Sequence, residues 1–85
     1  MHKTTTRFWR CLSLLSTETQ QIARKQYKLL KDNPGHPSLH FKKVGKFWSV
    51  RVDRNHRALA VEDDDYGFIW VWIGTHEEYD RIING

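Results

Sequence analysis

His76 and Tyr79 stand three residues apart, just beyond the apolar segment Phe68–Ile73 and Gly74. Histidine is the usual general acid or base near neutral pH, and a nearby tyrosine can orient a phosphate or donate a proton. Upstream, Arg51 and Arg57 supply guanidinium groups, which grip a phosphate in bidentate fashion and hold positive charge where negative charge develops during phosphoryl transfer. RNA cleavage through the 2′-hydroxyl needs a base for that hydroxyl, positive charge at the phosphorane and an acid for the leaving oxygen. His76, Arg51 or Arg57, and Tyr79 match those three needs. Their plainer roles are a residue near a helix start for His76 and packing for Tyr79, and spacing by itself favours the plainer roles.

A second group precedes these residues. Lys42, Lys43 and Lys46 interleave with Phe41, Phe47 and Trp48. Lysines neutralise phosphates and aromatic faces stack on unpaired bases, so the composition suits single-stranded RNA. Trp48 shares strand parity with Val50 and Val52, which makes it a core residue. The net charge of +4 is unevenly spread: residues 1–61 carry 13 Lys and Arg against Glu18, Asp32 and Asp53, a balance of +10. Residues 62–85 carry Arg81 against seven acids, a balance of −6. A basic body with one acidic end fits a polyanionic partner on one side.

Metal chemistry is not expected. His36 and His40 have ligand-like spacing, but Pro37 between them prevents a helix that would align both, and Cys11 stands alone. The lone cysteine also excludes an internal disulfide and points to a reducing compartment, the cytoplasm. Apolar runs near the amino terminus are pairs such as Phe8-Trp9 and Leu14-Leu15, too short for a signal segment or a membrane span.

The elements that must position these residues follow from periodicity. Eighty-five residues make one domain, 1–85, which buries only a little over ~60% of its unfolded surface. Thr4, Thr5 and Thr6 offer caps for a first helix with Phe8, Cys11, Leu12 and Leu15 on one face. Ser16 or Thr17 caps a second helix, Thr17 to Gln20 fits a capping box, and Ile22, Ala23, Tyr27 and Leu30 form its apolar stripe. Asn33-Pro34-Gly35 ends that helix. Leu39–Lys43, Phe47–Asp53, Arg57–Glu62 and Gly67–Gly74 are expected strands, with Arg54-Asn55 as a tight turn because asparagine tolerates positive φ. Phe68–Ile73 is apolar throughout, so that strand is covered on both faces. The fold class is α+β: an N-terminal helical hairpin on one face of a four-stranded antiparallel meander, then a short helix over His76–Ile83. Arg51 falls opposite the valine face. Arg57 has two possible facings: with a two-residue loop it snorkels at the sheet edge, and with one extra residue it lies opposite Arg51.

The ordered series Asn33-Pro34, His36-Pro37-Ser38-Leu39, Lys42-Lys43-Val44, Trp48–Val52, Arg57-Ala58-Leu59, Trp72-Ile73-Gly74, His76 and Tyr79-Asp80 resembles the RelE/ParE superfamily of toxins from prokaryotic type II toxin–antitoxin systems. It is most similar to the small plasmid-maintenance and HigB-like members, over nearly the whole chain from Phe8. The resemblance implies a RelE-like helical hairpin on an antiparallel sheet. Most members carry an extra strand before the first helix, which here is short or absent. It also implies a ribosome-dependent endonuclease, an mRNA interferase that inhibits translation without a cofactor. Implied partners are a cognate antitoxin, mRNA with the ribosome, and operator DNA through the antitoxin complex. By position, Arg51 matches a basic strand residue, Arg57 the arginine of the next strand, His76 an arginine or histidine after the last strand, and Tyr79 a tail aromatic. Two positions depart from the pattern: His56 stands where tyrosine is common, and Ser49 where some nuclease members carry lysine. The ParE branch shares the fold and inhibits DNA gyrase without a nuclease site, so a gyrase inhibitor is the alternative. A degenerate toxin that only binds its antitoxin is a third reading.

Overall fold

The computed structural model describes residues 2–85. Its elements run β1 (His2–Thr4), α1 (Thr6–Ser13), α2 (Thr17–Asp32), a 3₁₀ turn (Pro37–Leu39), β2 (Lys42–Val44), β3 (Phe47–Asp53), β4 (His56–Asp63), β5 (Gly67–Thr75) and α3 (His76–Asn84). The sheet order is β1-β5-β4-β3-β2. Strands β2 to β5 form the expected antiparallel meander. The addition is β1, which pairs in parallel with β5 (His2 with Phe68, Thr4 with Trp70) and makes a fifth strand. Three residues are too few for a periodic signal, so its partner strand defines it.

The helices begin where their caps dictate. Thr5 accepts from the Phe8 N–H at 3.1 Å and starts α1. At α2 the cap is Ser16, whose Oγ accepts from the Thr19 N–H at 3.1 Å, while the Gln20 side chain donates to the Leu15 carbonyl at 2.9 Å. The Thr17–Gln20 capping box therefore does not form. Both helices set their apolar stripes on one face of the sheet, α1 chiefly on β5 and α2 on β3. Leu12, Leu30, Val50, Val52, Ala58, Ala60, Trp70 and Ile73 close the main core there. Trp48 and Phe41 pack against it, with ring centroids 4.9 Å apart.

Two turns differ from the sequence expectation. Leu39 is not the start of a strand. Pro37 opens a 3₁₀ turn capped by His36, Leu39 becomes fully buried, and His40 takes a left-handed φ of 46° that reverses the chain before β2. Arg54-Asn55 is the two-residue loop between β3 and β4, but Asn55 does not use positive φ. Instead Asp53 Oδ1 accepts from the Asn55 N–H at 2.9 Å and closes the turn. Gly45 (φ 60°) does use it, opening the two-residue Gly45-Lys46 hairpin.

Strand β5 has apolar partners on both faces, and a register shift opposite Leu59/Ala60 leaves Val71 as the extra residue. Trp70 then enters the core under the hairpin, and Trp72 enters a second cluster with Leu59 and Tyr79 on the other face. Each indole buries roughly 200 Å², an upper estimate near ~5 kcal/mol, against about 1 kcal/mol for a helix cap. Packing on β5, more than capping, decides where the helices lie.

β1 is held by His2, whose ring stacks on Phe68 and Trp70 and whose Nδ1 accepts from Trp70 Nε1 at 3.1 Å. Burial first, then nearby positive charge including Lys31, lowers its pKa below the ordinary 6.5. Between the lowered value and 6.5 the unfolded chain binds more protons than the folded one, so stability rises with pH across that window. Thermal melts from about pH 7 to pH 5 should show the parent losing stability relative to His2→Gln, which keeps an acceptor for Trp70 without titrating. Parallel melting curves for the two proteins would contradict this role.

Candidate nucleic-acid and catalytic site

The hairpin covers the valine face, which leaves Phe47, Ser49 and Arg51 of β3 on the opposite face. The loop between β3 and β4 has two residues, yet Arg51 still lies directly across from Arg57, because Asp53 pairs with His56 and Val52 is bulged. The bulge resolves the two facings: Arg57 keeps the parity of Leu59 and also faces Arg51. Gly74 of β5 completes the row. The next row is Lys42, Ser49, Leu59 and Trp72.

Helix α3 crosses the end of this face. Thr75 caps it, accepting from the Glu78 N–H at 3.2 Å, and Glu78 Oε1 accepts in return from the Thr75 N–H at 3.0 Å. The Thr-x-x-Glu spacing of this capping box is a signal present in the sequence. The Thr75 bonds, backbone first, hold the Glu78 carboxyl below its ordinary range. The His76 N–H donates to the Asn55 carbonyl at 2.7 Å, tying the start of α3 to the β3–β4 turn. His76 Nδ1 lies 3.2 Å from Asp80 Oδ2, and its ring centroid is 5.9 Å from that of Tyr79. Tyr79 is buried against Leu59 and Trp72.

Arg57 sits at the centre of this group. Its Nη1 donates to the carbonyls of Asp53 (2.7 Å) and His56 (2.9 Å), which anchors the guanidinium beside the turn. Burial, then the charge of Arg51, lowers its pKa, while Tyr79, Asp53 and Asp80 act in the opposite sense. Like charges set directly across a strand pair are destabilising. Among the described residues neither arginine has a carboxylate within ion-pair distance; the two close pairs are His56–Asp53 and His76–Asp80. An anion bridging the arginines would relieve that repulsion. His56 donates from Nδ1 to the Asp53 carboxylate Oδ1 at 2.9 Å. Partial burial pushes Asp53 up, but the His56 ring and the Asn55 N–H together hold its carboxyl below the ordinary range. No cluster of three or more potential metal ligands occurs among the described residues.

Residues 17–81 match the ParE-like toxin domain. The chain belongs to the ParE-like toxin family. Within the RelE/ParE superfamily, solved structures share its fold at low identity. The RelB–RelE antitoxin–toxin complex from Methanococcus jannaschii matches with a TM-score of 0.70 at 13% identity, covering 93% of this chain and 96% of that one. YafQ from E. coli strain BL21(DE3) matches with a TM-score of 0.68 at 13% identity and the same coverage of 93% and 96%. The RelBE2 toxin–antitoxin complex from Mycobacterium tuberculosis matches with 0.66 at 16% identity, covering 89% and 96%. No curated protein sequence matches significantly.

In this ParE-like toxin the tertiary structure brings Arg51, Arg57, Tyr79 and His76 together at one end of the open face. Lys42 lies on the same face one row away, and Lys46 sits over the Phe47 ring at 5.4 Å from its centroid. Lys43 does not join them: it pairs with Trp48, on the hairpin side. Sequence reasoning missed Asp53 and Asp80, the acidic partners of His56 and His76, although their spacings of three residues across a tight turn and four along a helix are the signal for such pairs. Ser49 is buried between Lys42 and Leu59, so the position that the sequence resemblance matches to a lysine of some nuclease members carries no charge here.

Gly74 allows the close approach of α3. A Cβ there would lie 2.5 Å from Trp72 Cζ2 and 2.8 Å from Glu78 Oε1. Trp72 is buried against Leu59 and Tyr79, so its ring cannot shift without disturbing that cluster. Gly74→Ala is expected to cost about 1–3 kcal/mol in urea unfolding, more than the ~1 kcal/mol of Thr75→Ala. The reverse order would show that α3 is held by its cap and not by the Gly74 contact.

Proposed function

We propose that this toxin is an endoribonuclease that cuts mRNA on the ribosome and so inhibits translation. The observation that carries the reading is the in-register pair Arg51 and Arg57 on the open face, without a carboxylate ion partner, beside His76 and Tyr79. The arginines bind the scissile phosphate and stabilise the dianionic phosphorane. His76, oriented through Nδ1 by Asp80, takes the 2′-hydroxyl proton at Nε2. Tyr79 lies within electrostatic range of Arg57 and supplies the proton or hydrogen bond at the leaving oxygen. Lys42 and Lys46 carry the flanking phosphates, with Lys43 on the neighbouring edge. A cognate antitoxin, itself bound to operator DNA, neutralises the toxin. The family description, ParE-like, supports gyrase inhibition as the second reading.

Induction of the gene, with transcript ends mapped beside a DNA-damage reporter, separates the two. Cuts within translated codons support the endonuclease; damage signalling with intact transcripts supports gyrase inhibition. Arg57→Ala and His76→Ala should each reduce cleavage by about 10²-fold or more and relieve translation arrest while remaining folded. If both variants arrested growth like the parent, the catalytic assignment would be lost.

A further inference from the structure

Beyond α3 the open face holds a cleft of about 100 Å³ that the catalytic reading leaves unused. Its floor is Leu59 and Trp72, and Phe47, Val71 and Ile82 form its apolar walls, with Arg7 of α1 at the rim. Phe47 is the one member of the Phe41, Phe47 and Trp48 trio on this side; the other two pack under the hairpin. Ile82 is 38% exposed. Lys46 lies over the Phe47 ring, and Lys42 stands in the row of Leu59. The cleft is thus apolar in its lining, cationic at its rim, and contains no acidic lining residue. Leu59 follows Arg57 by one strand repeat, roughly 7 Å along β4.

We propose that this cleft receives an unpaired nucleobase of the RNA strand whose phosphate lies on Arg51 and Arg57; the proposal rests on the RNA reading above. Every base presents a π face to an aromatic wall, and the cations at the rim neutralise the phosphates that flank it. An acidic peptide could meet the rim with carboxylates and the lining with apolar side chains, but it offers no phosphate to Arg51 and Arg57. A strand of RNA satisfies rim and lining together and presents a phosphate to the arginine pair two residues along β4 from Leu59. The cleft places the nucleotide beside the scissile linkage, so that binding of the base positions the phosphate for in-line attack.

The test uses fluorescence anisotropy with two probes: a short, labelled 2′-O-methyl oligoribonucleotide, which cannot be cut through its 2′ oxygen, and the same backbone made abasic. The parent toxin is expected to bind the base-bearing probe about tenfold more tightly than the abasic one. Phe47→Leu, which keeps an apolar side chain in the cluster, should bring that ratio close to one with an unchanged melting temperature. Arg51→Ala should weaken both probes alike and preserve the ratio. Equal binding of the two probes by the parent, or a ratio untouched by Phe47→Leu, overturns the base cleft. Transcript mapping keeps the two proposals apart. Intact transcripts with a Phe47-dependent ratio would sink cleavage and leave the cleft standing; cut transcripts with no such ratio would do the opposite.

Discussion

Strand β5 is the constraint on which the rest of the molecule hangs. It is an interior strand with apolar side chains on both faces, and the extra residue at Val71 turns Trp70 toward one core and Trp72 toward the other. One short chain therefore builds two clusters on one sheet. β1 is recruited to its edge, α1 lies along it, and α3 leaves directly from its end through the Thr75 cap. In a domain this small, two buried indoles are a large share of the stabilising area. Any change that slips β5 by one residue would exchange the two faces and scatter the site.

The arginine pair is the electrostatic counterpart of that constraint. A bulge at Val52 sets Arg51 across from Arg57, and the Asp53 and His56 carbonyls hold the Arg57 guanidinium at the turn. The fold thus tolerates an unfavourable charge pair that an oxyanion would turn to advantage. The acids that could neutralise it are otherwise engaged, Asp53 with His56 and Asp80 with His76. These pairings keep the carboxylates beside the site without closing it, and they orient the two imidazoles. The acidic end of the chain belongs to the same arrangement, since α3 carries Glu77, Glu78 and Asp80 alongside a basic face.

Similarity of fold and similarity of chemistry come apart in this family. The chain shares its architecture with RelE and YafQ at 13% identity, a level at which backbone geometry persists while side chains are largely replaced. What a member does is carried by the side chains set on the open face.

The sequence by itself determined the α+β class, the helical hairpin, the meander, the doubly covered last strand and the terminal helix. These follow from periodicity, from turn residues such as Gly45 and Asn33-Pro34, and from the apolar run Phe68–Ile73, all local properties of the chain. It also singled out Arg51, Arg57, His76 and Tyr79 by residue type. It did not yield β1, whose three residues gain meaning only beside β5, nor the 3₁₀ turn that buries Leu39. The facing of Arg57 was open in the sequence and was decided by the Val52 bulge. The Asp53–His56 and Asp80–His76 pairs, three and four residues apart, and the opposite facing of Lys42 and Lys43 lie within local spacing. The facing of Arg57 and the cleft at Phe47 depend on strand register and on the path of α3 over the sheet, and register is a property of two segments together. No single stretch of sequence contains it.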